Sequence, residues 1–183
     1  MLVGHRVILR TARRPDLEGL YDLIADVRTI GDHWPLRVGS ESQWLKQFDE
    51  TGWWKDDFGR MLMTDLEGRI LGYLNFYNAS HSYDGLELGY RIFRPEDRGL
   101  GYMSEALPLF VAYLFSAKQI HRVQALADTD NVGSRRLLER CAFHHEGTLR
   151  GAHFNRGAFH DLQIYSMLRP EAPNLANLLA PVP

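Results

Sequence analysis

The sequence predicts a mixed α/β or α+β domain, one sheet with helices packed on it. Three features carry that reading: a strand followed by a helix at the start, two or three antiparallel strands next, and strand–helix alternation behind a glycine-rich turn. With 183 residues the chain can bury one substantial core and is short for two. Residues 1–169 therefore read as one domain, and 170–183 as a tail that carries four of the eight prolines. The tail is taken as a surface-packed extension, with a subunit contact in a homodimer as the alternative.

Taken in order, Arg6 to Leu9 form a first strand, and Pro15-Asp16 opens a helix with Leu17, Leu20, Tyr21, Ile24 and Val27 at helical spacing. Pro35 and Gly39 mark a loop before a short helix from Gln43 to Phe48. Met61 to Thr64, a turn at Asp65 to Gly68, and Ile70 to Phe76 make a hairpin, and Tyr83-Asp84-Gly85 sets off a third strand, Leu86 to Phe93. After Pro95 a glycine turn leads into a helix whose buried face holds Ala106, Leu107, Phe110, Val111 and Leu114. Pro108 conflicts with that helix if it begins near Gly101: beyond the first turn a proline costs about 3 kcal/mol unless the helix kinks or starts later. His121 to Ala127 form another strand and Asn131 to Arg140 another helix. Ala142 to Leu149 and Asp161 to Leu168 form a final strand pair, with His153 in the loop between.

Composition excludes several classes. The formal charge is −2 with no block of like charges, which argues against a disordered chain or a dedicated nucleic-acid binder. The opening MLVGHRVILR reads as a strand rather than a signal peptide, and no stretch is long enough to span a bilayer, so a cytoplasmic protein without membrane contact is expected. The single cysteine, Cys141, reads as a buried small apolar residue rather than a nucleophile. No Cys/His/Asp spacing indicates a metal site.

The segment from Arg94 to Leu107 carries the chemistry. It runs from a strand end through Gly99 and Gly101 into a helix, which aims backbone N–H groups and the positive end of the helix dipole at one point. An anion fits there, and Arg98 adds charge-assisted hydrogen bonds to a phosphate. The Lys-Ser/Thr pair of a P-loop and the third glycine of the dinucleotide fingerprint are both missing.

Arg98-Gly-Leu-Gly101-Tyr-Met103 resembles the R/Q-x-x-G-x-G/A signature of the GNAT acetyltransferase superfamily. Glu87-Leu-Gly-Tyr90 is similar to its E-x-G-Y segment, Asn131-Val-Gly-Ser134 to its N-x-x-S element, and Leu138 to Phe143 to its L-x-x-x-G-F stretch. Phe159-His-Asp161 with Tyr165 is similar to the ending of the branch that holds the ribosomal-protein N-terminal acetyltransferases. Met103 and Ala142 depart from the pattern, standing where the superfamily has a small residue and a glycine.

The resemblance implies a twisted, mostly antiparallel sheet, splayed at the coenzyme cleft and flanked by helices on both faces. It implies transfer of acetyl from acetyl-coenzyme A to a primary amine, with a protein N-terminal α-amine as the leading acceptor. A polyamine or aminoglycoside acetyltransferase and a non-catalytic acyl-coenzyme A-binding module are the alternatives. In this reading Arg98, Gly99, Leu100, Gly101, Tyr102 and Met103 cradle the pyrophosphate, and Tyr90, Arg91, Ile92 and Phe93 pair with the pantetheine arm. A strand N–H there stabilises the oxyanion. Asn131, Ser134 and Arg136 also contact the coenzyme.

A base is needed because the nucleophile is the neutral amine. Glu87, His153 and Asp161 are the candidates, His153 by its position relative to His160-Asp161; Glu87 reads equally well as a structural carboxylate and His153 as a solvated loop histidine. Ser134 is the candidate proton donor to the departing thiolate. Asp161 orients the last strand or binds the substrate ammonium. Trp34, with Trp44, Trp53, Trp54, Asp56 and Asp57, frames the amine or serves as core and rim.

Overall fold

The computed structural model describes residues 1–27, 30–36, 38–80 and 84–181. Arg37 and Tyr83, which fall in two of the loop readings, lie outside them, as do the last two residues of the tail. The elements are β1 (Leu2–Val3), β2 (Ile8–Thr11), α1 (Leu17–Ala25), α2 (Glu41–Thr51), β3 (Phe58–Thr64), β4 (Ile70–Asn78), β5 (Leu86–Ile92), α3 (Tyr102–Ala117), β6 (Arg122–Asp128), α4 (Val132–Arg140), β7 (His144–Asn155) and β8 (Ala158–Leu168). They form one sheet in the order β1-β2-β3-β4-β5-β6-β8-β7. Every pairing is antiparallel except β5 with β6.

Strand alternation divides the core between the two faces of the sheet. Met63, Leu74, Phe76, Leu88 and Val123 pack against Leu107, Phe110, Val111 and Leu114 of α3 in the larger cluster. Leu62, Tyr73 and Phe93 pack against Leu17 and Leu20 of α1 and against Trp53, with Trp34 and Trp44 at the edge. Trp53 is therefore core, whereas Trp54 packs edge-on against Phe76, 5.5 Å away, in the larger cluster. Asp56 and Asp57 are exposed.

Pro108 lies inside α3, and its neighbourhood absorbs the conflict. Proline has no N–H to give the carbonyl four residues back, which is that of Ser104. The Cys141 sulfur lies 3.9 Å from that oxygen. Burial pushes the Cys141 thiol up to about 11, so it stays protonated as a weak donor. Cys141 is thus a helix-packing residue.

Behind Cys141, α4 closes in a Schellman turn: the Phe143 N–H reaches the Leu138 carbonyl at 3.0 Å and the Ala142 N–H that of Glu139 at 3.1 Å. Ala142 takes φ 63°, the left-handed conformation in which a Cβ is penalised. Ala142→Gly is expected to stabilise the protein by about 1 kcal/mol, raising Tm by about 2–4 °C in a thermal melt.

His153 lies on a strand rather than in a loop. The β7–β8 pairing runs on through His153↔His160 to Asn155↔Ala158 and closes on Arg156-Gly157, both at positive φ, as in a two-residue hairpin turn. Register shifts between His145 and Gly147 and between Leu149 and His153 interrupt the alternation that would mark one long strand.

The tail folds back on the domain. Leu175, Leu178 and Leu179 pack on the main core, and the Ala180 N–H donates to the Val3 carbonyl at 2.8 Å. Ahead of it, the Arg169 guanidinium donates to the carbonyls of Phe115, Lys118 and Ile120 at the end of α3. Among the described residues no helix is long and apolar enough to cross a membrane.

Candidate active site

Pairing between β5 and β6 covers only Leu86–Leu88, after which the strands part. Tyr90, Arg91 and Ile92 keep β4 on one side and open on the other into a cleft of about 600 Å³. The glycine turn borders this cleft. Gly99 and Gly101 hold φ +73° and +88°, and Gly101 is the N-cap of α3. Before them, buried Asp97 takes a two-point contact from Arg69 at 2.9 and 3.0 Å, which ties the turn to the β3–β4 hairpin.

Arg98, Gly99, Gly101, Met103, Asn131, Ser134 and Arg136 all line the cleft, and Arg140 joins them. Two helix N-termini, four arginines and open backbone in one cavity form a site for a phosphorylated, chain-like ligand. Met103 is 7% exposed and belongs to the main core, while part of it borders the cleft.

Asn131 caps α4, its Oδ1 accepting the Ser134 N–H at 3.0 Å. That places the Ser134 hydroxyl 2.7 Å from the Tyr90 hydroxyl. Burial pushes the Tyr90 phenol well above its ordinary value, so the pair is neutral and joined by a hydrogen bond.

At the end of β6, Asp128 is 5% exposed, and each of its oxygens meets an imidazole: His153 Nδ1 at 3.1 Å and His33 Nδ1 at 3.2 Å. Asp130 approaches the same His33 nitrogen at 3.7 Å. Carboxylate oxygens accept hydrogens, so Nδ1–H of each ring points at Asp128, and in the neutral tautomer this favours Nε2 carries the lone pair. His33 lines the cleft. Sequence reasoning passed over both Asp128 and His33, and the one local signal was an acidic residue ending a strand just before a helix cap.

Several expected positions lie elsewhere. Glu87 is buried and satisfied, accepting the Tyr77 hydroxyl at 2.5 Å and the Gln124 amide at 2.8 Å. Phe93 is 1% exposed beneath Tyr73, with its N–H on the Leu71 carbonyl. Leu100 projects to solvent, and the Tyr102 ring lies under the Arg6 guanidinium at 5.1 Å. Asp161 accepts the Gly151 N–H at 2.7 Å and so holds the bulged part of β7 that carries His153.

Trp34 borders the cleft and also a second cavity of about 180 Å³ that shares Ile30 and Arg91 with it. Arg60, also passed over in the sequence, lines that cavity beside Tyr73 and Trp44.

Residues 6–144 match the family model of the acetyltransferase (GNAT) domain. The chain is 35% identical over 101 residues to the uncharacterized N-acetyltransferase YoaA of Bacillus subtilis (strain 168), which takes in 55% of this chain and 56% of YoaA. It is 24% identical over 170 residues to the ribosomal-protein-serine acetyltransferase of Escherichia coli (strain K12), covering 91% of this chain and 94% of that one. The fold matches spermidine N-acetyltransferase from Vibrio cholerae, solved with CoA and spermine, at TM-score 0.79 and 19% identity, over 91% of this chain and 97% of the other. The matched part is thus about half of YoaA and nearly all of the other two. With the family model covering residues 6–144, the chain belongs to the GNAT family of N-acetyltransferases, for which acetyl-coenzyme A is the cosubstrate.

Proposed function

We propose that the protein acetylates the α-amine of a peptide or protein N-terminus. The observation that carries this reading is the buried carboxylate of Asp128 holding two imidazoles by Nδ1, one of them in the wall of the cleft. An α-amine has an ordinary pKa of about 7.7 to 8.0 and a lysine ε-amine about 10.4, so an imidazole base matches the former.

Acetyl-coenzyme A, when bound, supplies the thioester carbonyl and a thiolate leaving group. Arg98, the Gly99–Gly101 turn, the first turn of α3 and Arg136 hold its phosphates, and the open edge of Tyr90–Ile92 receives the pantetheine arm. His33 takes the amine proton at Nε2, and His153 shares and steadies the same carboxylate. The Ser134–Tyr90 hydroxyl pair donates a hydrogen bond to the departing thiolate; any proton it gives is regained from the solvent-open cleft, to which His33 releases the amine proton. Glu87 acts as a brace between β4, β5 and β6, and Asp161 as a brace for β7.

The test is release of coenzyme A thiol with peptides bearing a free N-terminus, the same peptides N-terminally blocked but containing lysine, and spermidine. Thiol release confined to the free N-termini is the expected result. Release with the blocked lysine peptides or with spermidine alone would overturn the α-amine reading.

A further inference from the structure

The 180 Å³ cavity beside the cleft has a floor made by three strands. Arg60 on β3, Tyr73 on β4 and Arg91 on β5 lie on the same face, Tyr73 and Arg91 being register partners. The Arg60 guanidinium lies over the Tyr73 ring, 4.7 Å from its centre. Trp34, 6.1 Å from Tyr73, and Trp44 form the walls, and Ile24, Ile30 and Pro35 complete the lining.

Among the described residues this lining contains two guanidiniums and no carboxylate. Arg60 makes no ion pair among the described residues, and both its Nε and the Trp44 Nε1 are buried without a hydrogen-bond partner. Burial pushes both guanidiniums below their ordinary value, Arg91 also through Arg98 nearby, so the site holds positive charge in partly dehydrated surroundings. A buried donor without an acceptor, as at Arg60 Nε and Trp44 Nε1, is costly unless a ligand supplies one. A polyamine offers only positive charge and donors and would be repelled. A carboxylate offers the planar pair of acceptors that a guanidinium fork matches.

We infer that this cavity is the acceptor's side-group pocket and that it selects a primary amine carrying a carboxylate: an N-terminal Asp or Glu of a peptide, or a free acidic amino acid. Arg91, which lines both cavities, joins the pocket to the cleft where the amine reacts. The inference rests on the α-amine reading above. The small volume admits one side chain, so selection is exercised at the first residue.

The experiment compares kcat/KM for peptides that differ only in a leading Glu or Gln, beside free glutamate and spermidine. The Glu peptide or free glutamate is expected to exceed the Gln peptide at least about tenfold, the larger of the two naming the source. In Arg60→Gln that preference should shrink to within about twofold while coenzyme affinity holds, and Arg60→Lys should keep part of it. Equal rates with Glu and Gln in the unaltered protein, or an equal fall for both in Arg60→Gln, would overturn the pocket. Should no amine release thiol, the acetyl-transfer reading fails on its own, and titrating glutarate into the coenzyme A-loaded protein decides the pocket separately. Binding heat that Arg60→Gln abolishes upholds it, and no heat overturns it.

Discussion

Asp128→Asn is expected to lower kcat about a hundredfold while leaving coenzyme affinity unchanged. The carboxylate accepts Nδ1–H from two rings at once, and an amide offers one oxygen and one NH₂ in the same place. One imidazole then faces a donor, must present Nδ1 as acceptor, and carries its hydrogen on Nε2, where it cannot take a proton. The cleft itself keeps its shape, because the Asn131 N–H bonds the Asp128 main-chain carbonyl rather than the side chain. Stopped-assay kinetics and a coenzyme titration on the same preparation check this. His33→Ala and His153→Ala separate the two rings: the larger loss is expected for His33, which borders the cleft. An unchanged kcat in Asp128→Asn would remove the imidazole pair from the mechanism.

Gly101→Trp is expected to weaken coenzyme binding by more than about a hundredfold, read by titration. The residue is the N-cap of α3 at φ +88°, and a Cβ built there already meets Arg6 Nη1 at 3.1 Å. A side chain of any size must displace that guanidinium or fill the phosphate site. The left-handed backbone adds a cost of about 1–2 kcal/mol for a residue with a Cβ, so a lower Tm accompanies the loss. Arg98→Gln separates binding from folding: the fold is retained, and affinity falls about tenfold through one lost charge-assisted contact. Coenzyme affinity that survives Gly101→Trp would remove the glycine turn from the phosphate site.

Most of the scaffold is legible in the amino-acid sequence. The helical spacing of Leu107, Phe110, Val111 and Leu114, the hairpin around Asp65 to Gly68 and the cap at Asn131 all recur in the structure, because each is decided within a few residues. The end of the chain is less legible. Glycines and polar residues from Arg150 to Gly157 resemble a loop, yet the β7–β8 hairpin extends through them, since a strand can be bulged and remain paired where its partner holds it. Pro108 in mid-helix likewise became intelligible only with Cys141, brought to Ser104 from another helix.

Local sequence alone is enough for the family, the order of strands and helices along the chain, and the glycine turn that borders the cleft. All of these depend on local spacing, on backbone conformations that need glycine, and on a helix beginning where the turn ends. Tertiary structure alone decided which polar groups are free to act. Glu87 is occupied by Tyr77 and Gln124 on the two neighbouring strands, while Asp128 gathers His33 from the N-terminal loop and His153 from β7. Arg60, Tyr73 and Arg91 share one face only because three strands pair in a particular register. The physical reason is the same in each case: a charged group's chemistry is set by what lies within hydrogen-bond distance of it, and across a sheet those neighbours are chosen by strand register rather than by position in the chain.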